Sequence, residues 1–201
     1  MTRALDFYFD FSSPYGYFAA TRIEPLAARY GRTVNWHPIL LGVVFKTTGA
    51  APLPLVPLKG EYAYRDFERT ACFHGIPYQR PSNFPIPSQL AARAAVWLAQ
   101  SFGDFKAVEF IKASYAAYFT GGADITRPEA IADIASSIGI QPAALIDGAN
   151  SDATKQALKA NVDVAIARGV FGSPFVIVDG ESFWGFDRFD QLEAFLKNGK
   201  I

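Results

Sequence analysis

Leu5, Phe7, Phe9 and Phe11 alternate with Asp6, Tyr8 and Asp10. A period of two predicts a strand with one apolar face. The period then lengthens: Ala19, Ile23, Leu26 and Tyr30 recur at helical spacing, and Gly31 ends the run. Thr33–His37 reads as a second strand, with Val34 and Trp36 on one face and Pro38 limiting it. A strand–helix–strand unit of this length implies a parallel pair with a right-handed crossover.

From 42 to 59 the pattern dissolves. Gly49, Pro52, Pro54, Pro57 and Gly60 break any regular element, so a linker is expected. Helical periodicity then predicts Glu61–His74, Gln89–Phe102, Phe105–Phe119 and Arg127–Ile138, with shorter or weaker patterns at Pro142–Ile146 and Asp152–Arg168. Gly75, Gly121, Gly139 and Gly169 stand at plausible helix ends. Thr126-Arg127-Pro128-Glu129 has the form of a helix start, with Thr126 as cap. Three prolines within Pro81–Pro87 predict a stiff, extended loop that fixes Asn83 and Phe84, or else serves as a plain rigid connector.

The tail returns to strands. Phe175–Val178 is continuously apolar, Asp179-Gly180 is a hairpin signal, and Ser182–Trp184 reads as the return strand. Arg188–Leu196 is predicted helical, with Asp187 as its cap. The order is β-α-β, a long helical stretch, then β-β-α. That order predicts an α/β chain: a thioredoxin fold with a large all-helical domain inserted after the first β-α-β unit. The expected boundaries are 1–41 and 169–201 for the sheet domain and 42–168 for the insertion.

Composition narrows the function classes. Half of the 201 residues are hydrophobic, enough for a sizeable core. Nineteen Lys and Arg balance nineteen Asp and Glu, which disfavours a nucleic-acid or acidic-membrane partner. Asp6 and Asp10 interrupt the first apolar stretch, against a secretory signal, and no apolar run approaches the roughly 20 residues a membrane span needs. A soluble cytoplasmic protein is expected. Cys72 is the single cysteine, so no intrachain disulfide forms. It falls in a helical stripe with Tyr64, Phe67, Ala71 and His74 and is expected to be a buried small hydrophobe rather than a reactive thiol. No metal site is expected.

The candidate chemistry lies at Ser13-Pro14-Tyr15-Gly16, between the first strand and the first helix. A helix start presents unpaired N–H groups and the positive end of the helix dipole, and so favours an anion. In redox proteins of this fold that anion is a cysteine thiolate, with a second cysteine three residues on. Here the two slots hold Ser13 and Gly16, so the chain has no dithiol cycle of its own. A serine hydroxyl attacks only with a base to activate it. His37, at a strand end, and His74, before Gly75, both read as structural. Ser13 therefore reads as a hydrogen-bond donor able to hold a thiolate supplied by a small molecule such as glutathione, or simply as a helix cap. The second pole is Ser173-Pro174. There a cis proline facing the first helix would let Ser173 offer backbone N–H and C=O to an extended thiol; an ordinary strand-start proline is the alternative.

Phe7-Tyr8-Phe9-Asp10-Phe11-Ser12-Ser13-Pro14-Tyr15, Gly172-Ser173-Pro174 and Trp184-Gly185-Phe186-Asp187-Arg188 together resemble the 2-hydroxychromene-2-carboxylate isomerases, relatives of kappa-class glutathione transferases in the disulfide-oxidoreductase A superfamily. The similarity runs the length of the chain. It implies glutathione as cofactor, with Ser13 holding its sulfur and Pro14, Tyr15, Ser173, Pro174, Trp184, Gly185, Phe186 and Asp187 around it. Asp187 would suit the γ-glutamyl ammonium. Lys46, Asn83 and Phe84 would fall near the substrate, an aromatic carboxylate. Lys46, Lys59 and Arg65 are candidates for its carboxylate, or exposed counter-charges. The resemblance also implies a homodimer. Two positions depart from relatives: Ala50 follows Gly49 where an asparagine is frequent, and Gly16 replaces a serine. A glutathione-dependent isomerase is the leading expectation. A kappa-like transferase or peroxidase and a non-catalytic thiol-binding module are the alternatives.

Overall fold

The computed structural model describes residues 4–201; the expected boundary at residue 1 lies outside the described residues. Strands β1 (Leu5–Phe9), β2 (Val34–Pro38), β3 (Phe175–Val178) and β4 (Glu181–Trp184) form one sheet in the order β2-β1-β3-β4. β1 pairs parallel with β2, placing Tyr8 opposite His37, and antiparallel with β3, placing Tyr8 opposite Phe175. The hairpin between β3 and β4 turns through Asp179 (φ 52°) and Gly180 (φ 90°). Two successive positive φ values are what a tight two-residue hairpin requires, and glycine meets that need without steric cost.

The alternation in β1 sorts the core. Phe7, Phe9 and Phe11 face one cluster, in which Tyr115 lies 5.9 Å from Phe9 and 5.2 Å from Phe11. Tyr8 faces a second cluster with Ile39, Val44, Ala165 and Phe175. Seven α-helices lie between β2 and β3: α3 (Leu41–Thr48), α4 (Lys59–His74), α5 (Gln89–Phe102), α6 (Asp104–Phe119), α7 (Pro128–Ser137), α8 (Pro142–Asn150) and α9 (Asp152–Ala167). α1 (Pro14–Ala20) and α2 (Ile23–Arg29) follow β1, and α10 (Phe189–Asn198) closes the chain. No helix of the described residues is long and apolar enough to cross a membrane.

Several local expectations are corrected. The stretch read as a linker contains α3 and a 3-10 turn at Leu53–Leu55. The first N–H of α3, on Leu41, is capped at 2.7 Å by Asp10, 31 residues earlier, so no local residue announces the helix. The first helix is two helices, broken at Thr21-Arg22, where the Thr21 hydroxyl donates to the Phe18 carbonyl. Thr126 does not cap α7; its N–H and hydroxyl both turn back to Asp124, and Arg127 takes the cap position. Asp187 does not cap α10 either. It lies inside a 3-10 turn, Phe186–Arg188, and bonds Arg188. The left-handed residue after α6 is Gly122, not Gly121. Cys72 is exposed on α4 rather than buried, because the buried side of that helix is taken by Ala63, Phe67 and Ala71. His37 bonds Asp6 at 3.0 Å, and His74 packs its ring 4.8 Å from Phe186.

Candidate active site

Ser13 is the N-cap of α1: its backbone is extended, and its Oγ accepts the Gly16 N–H at 3.0 Å. Pro14, with no N–H to leave unpaired, takes the first helical position. The Ser13 hydroxyl donates to the Ser173 carbonyl at 2.9 Å, so the two poles read from the sequence meet. The Ser173–Pro174 peptide is cis. Ser13 is only 6 % exposed, whereas Ser173 is partly exposed.

Gly16 has a steric reason. A Cβ there would lie 2.7 Å from Ser173 Oγ and 3.0 Å from the Tyr115 hydroxyl. The space where a second redox side chain would stand is filled by hydroxyl groups of two other elements.

Asp10 organises the turn and was missed as a site residue. Its N–H donates to Ser173 Oγ at 2.9 Å, and its carbonyl accepts the Ser13 N–H at 2.9 Å and the Tyr115 hydroxyl at 3.0 Å. Its carboxylate accepts the Ser12 N–H and the Leu41 N–H, each at 2.7 Å. Burial pushes this carboxyl above the ordinary range, and the hydrogen bonds from Leu41, Ser12 and Ser88 only partly offset it. The sequence signal available was an acidic residue just past an alternating strand, three positions before Ser13.

Tyr15 is half-buried and donates its hydroxyl to Asp66 of α4. Burial, then the Asp66 bond, and finally the nearby Asp187 charge all raise its pKa. Asp66 thus joins Tyr15 at the turn, a partner that the sequence did not announce. Asp66 itself lies below the ordinary carboxylate range: burial raises it, but bonds from Tyr15 and Arg69 outweigh that. Trp184 is exposed and stands 4.9 Å from Phe171, over Gly172. The Gly185 N–H donates to the Pro174 carbonyl at 3.0 Å, joining the end of β4 to the cis proline. Phe186 is a core residue, 5.9 Å from Phe18, so only its backbone is available to a ligand.

The proline-rich loop is tied to the turn. Its Ile86 N–H donates to Ser12 Oγ at 3.0 Å, its Phe84–Pro85 peptide is cis, and its Asn83 carbonyl accepts the Tyr118 hydroxyl at 2.7 Å. Phe84 lies 6.1 Å from both Tyr64 and Phe67, and Phe67 lies 5.0 Å from Tyr15. An aromatic wall therefore runs from Tyr15 to Phe84. The Arg80 guanidinium sits 3.3 Å above the Tyr64 ring, a cation the sequence reading did not single out. Lys46, Lys59 and Arg65 are exposed and make no ion pair among the described residues. A cavity of about 560 Å³ lies elsewhere, between Leu40 and Val43 on one side and Leu158 and Val162 on the other, and contains none of the predicted site residues. No cluster of His, Cys, Asp or Glu among the described residues has the make-up of a metal site.

The site brings together a serine at a helix start, a cis Ser173–Pro174 peptide, and the Ser173 N–H, which makes no hydrogen bond among the described residues. Residues 4–197 match the DSBA-like thioredoxin domain family. The chain is 31% identical over 199 residues to 2-hydroxychromene-2-carboxylate isomerase of Sphingobium xenophagum, covering 98% of this chain and 99% of that protein. It is 25% identical to glutathione S-transferase kappa 2 of Caenorhabditis elegans, over 96% of this chain and 92% of the other. Its fold superimposes on a solved 2-hydroxychromene-2-carboxylate isomerase with a TM-score of 0.87 at 28% identity, covering 96% and 94% of the two chains. The chain belongs to the 2-hydroxychromene-2-carboxylate isomerase family of DsbA-like thioredoxin proteins.

Proposed function

We propose that the protein is a glutathione-dependent isomerase that interconverts 2-hydroxychromene-2-carboxylate and trans-o-hydroxybenzylidenepyruvate. The observation that carries this reading is the meeting of Ser13, at the start of α1, with a cis Ser173–Pro174 peptide. Glutathione, when bound, would supply a thiol nucleophile for reversible addition to the unsaturated ketone that opening of the hemiketal ring provides, with no net oxidation or reduction. The chain's own part is to bind and orient. The Ser13 hydroxyl donates to the sulfur in place of the Ser173 carbonyl, and the Ser173 N–H pairs with the thiol-bearing backbone. Asp187, with Asp66, receives the amine end. Tyr15, Phe84 and Asn83 flank the aromatic substrate, with Phe67 packed behind them, and the cations Lys46 and Arg80 suit its carboxylate. The dependence on glutathione fits a cytoplasmic setting, and a homodimer is expected to sediment at twice the chain mass.

Calorimetry with glutathione on the wild type and Ser13→Ala tests the reading, together with chromene isomerisation with and without the thiol. The expected result is saturable binding and a rate that needs glutathione, with Ser13→Ala slower by roughly ten- to a hundredfold. A rate independent of the thiol sinks it. The kappa-class relatives favour one second reading, a glutathione transferase acting on other electrophiles. Conjugate formation with a simple aromatic halide, in place of isomerisation, would select it.

A further inference from the structure

Resting on the glutathione reading above, we infer that the side-chain hydroxyl of Ser173, and not only its backbone, is a second donor to the sulfur. Ser13 donates its one hydrogen to the Ser173 carbonyl at 2.9 Å, and Tyr115 donates its own to the Asp10 carbonyl at 3.0 Å. Ser173 Oγ instead accepts, from the Asp10 N–H at 2.9 Å. A hydroxyl that accepts an N–H still has its hydrogen to give, and it donates no hydrogen bond among the described residues.

Placement agrees with this. Ser13 is buried at 6 % exposure, while Ser173 is partly open. Ser173 Oγ lies 2.7 Å from the point where a Gly16 side chain would begin, and that point is 3.1 Å from the Ser13 Cβ. Glycine at 16 thus leaves the Ser173 hydroxyl beside the helix start, level with Ser13. A sulfur arriving there finds a Ser173 hydrogen that breaks no existing bond when it turns to the ligand. The Ser13 hydrogen must first leave the Ser173 carbonyl. The Asp10 N–H holds the oxygen in place throughout, so the donor is pre-positioned, and a pre-positioned donor is most effective toward an anion.

The test compares Ser173→Thr with Ser173→Val, two side chains of nearly equal shape that differ in the hydroxyl. The ionisation of enzyme-bound glutathione is followed by thiolate absorbance against pH, alongside chromene isomerisation. The threonine variant is expected to titrate with the wild type. The valine variant is expected to titrate about one pH unit higher and to lose roughly tenfold in kcat, with KM for glutathione within about threefold because backbone pairing survives. Should the valine variant fail to fold, Ser173→Ala serves in its place. A hydroxyl that merely caps the Asp10 N–H would change melting temperature and leave the thiol titration alone. Equal titration in the threonine and valine variants, with Ser13→Ala shifted, overturns this inference and keeps the parent reading. A wild type that does not bind glutathione, or leaves its thiol as in free solution, overturns both.

Discussion

At Gly16 two tendencies compete. Serine is a better helix former than glycine by a few tenths of a kcal/mol. A Cβ would, however, press on Ser173 Oγ at 2.7 Å, on the rim of a close-packed aromatic core. Overpacking of that kind costs about 1–3 kcal/mol, so sterics win. Gly16→Ser is expected to lower the melting temperature by roughly 2–4 °C for each kcal/mol lost, and calorimetric scanning checks it. Tyr115→Phe removes one donor from the Asp10 carbonyl, which keeps the Ser13 N–H. It should cost about 1 kcal/mol, read from urea midpoints. Ser13, Pro14 and Pro174 were legible because cap and proline preferences are local. Asp10 was not, since its partners Leu41 and Ser173 lie 31 and 163 residues away.

Among elements, α5 appears with the predicted bounds, Gln89–Phe102, and β3 with Phe175–Val178, because each carries its own periodicity or apolar run. α3 was illegible for the opposite reason: a glycine, two valines and no local cap argue against a helix that a distant carboxylate starts. Tertiary capping overrides propensity there. A second long-range tie joins β1, β2 and the end of α9. Asp6 accepts from Asn35 at 3.0 Å and from Arg168 at 2.8 Å, and bonds His37. Burial raises the Asp6 pKa, but these partners outweigh it and hold the carboxyl below the ordinary range. A depressed folded-state pKa adds stability that is present above the unfolded value and is lost as pH falls through the folded value. Asp6→Asn should therefore cost stability at neutral pH and cost progressively less as the pH falls below the ordinary carboxylate range, where the wild-type carboxyl gains its proton. Urea midpoints across that range give the comparison. A loss of stability that is flat across pH would show that the charge of Asp6 contributes nothing.

For the whole molecule, the sequence order of strands and helices was enough to place the thioredoxin sheet and the long helical stretch within it. It did not reveal how fully the two share a core. Phe119 of α6 stacks 5.2 Å from Tyr17 of α1 and packs with Tyr78, Tyr115 and Tyr118. Phe119→Ala is expected to cost about 3–5 kcal/mol. Because that cluster reaches both the sheet and the helices, tryptophan fluorescence and far-ultraviolet circular dichroism should report one coincident unfolding transition. Two separated transitions would show that the helical stretch is an independent unit. The exposed position of Cys72 has a practical consequence for all work with this chain. Any thiol alkylation or mixed disulfide seen without added glutathione originates on α4 and not at the serine turn. Cys72→Ser would leave the protein free of sulfhydryl groups, so that every such signal afterwards belongs to the small molecule.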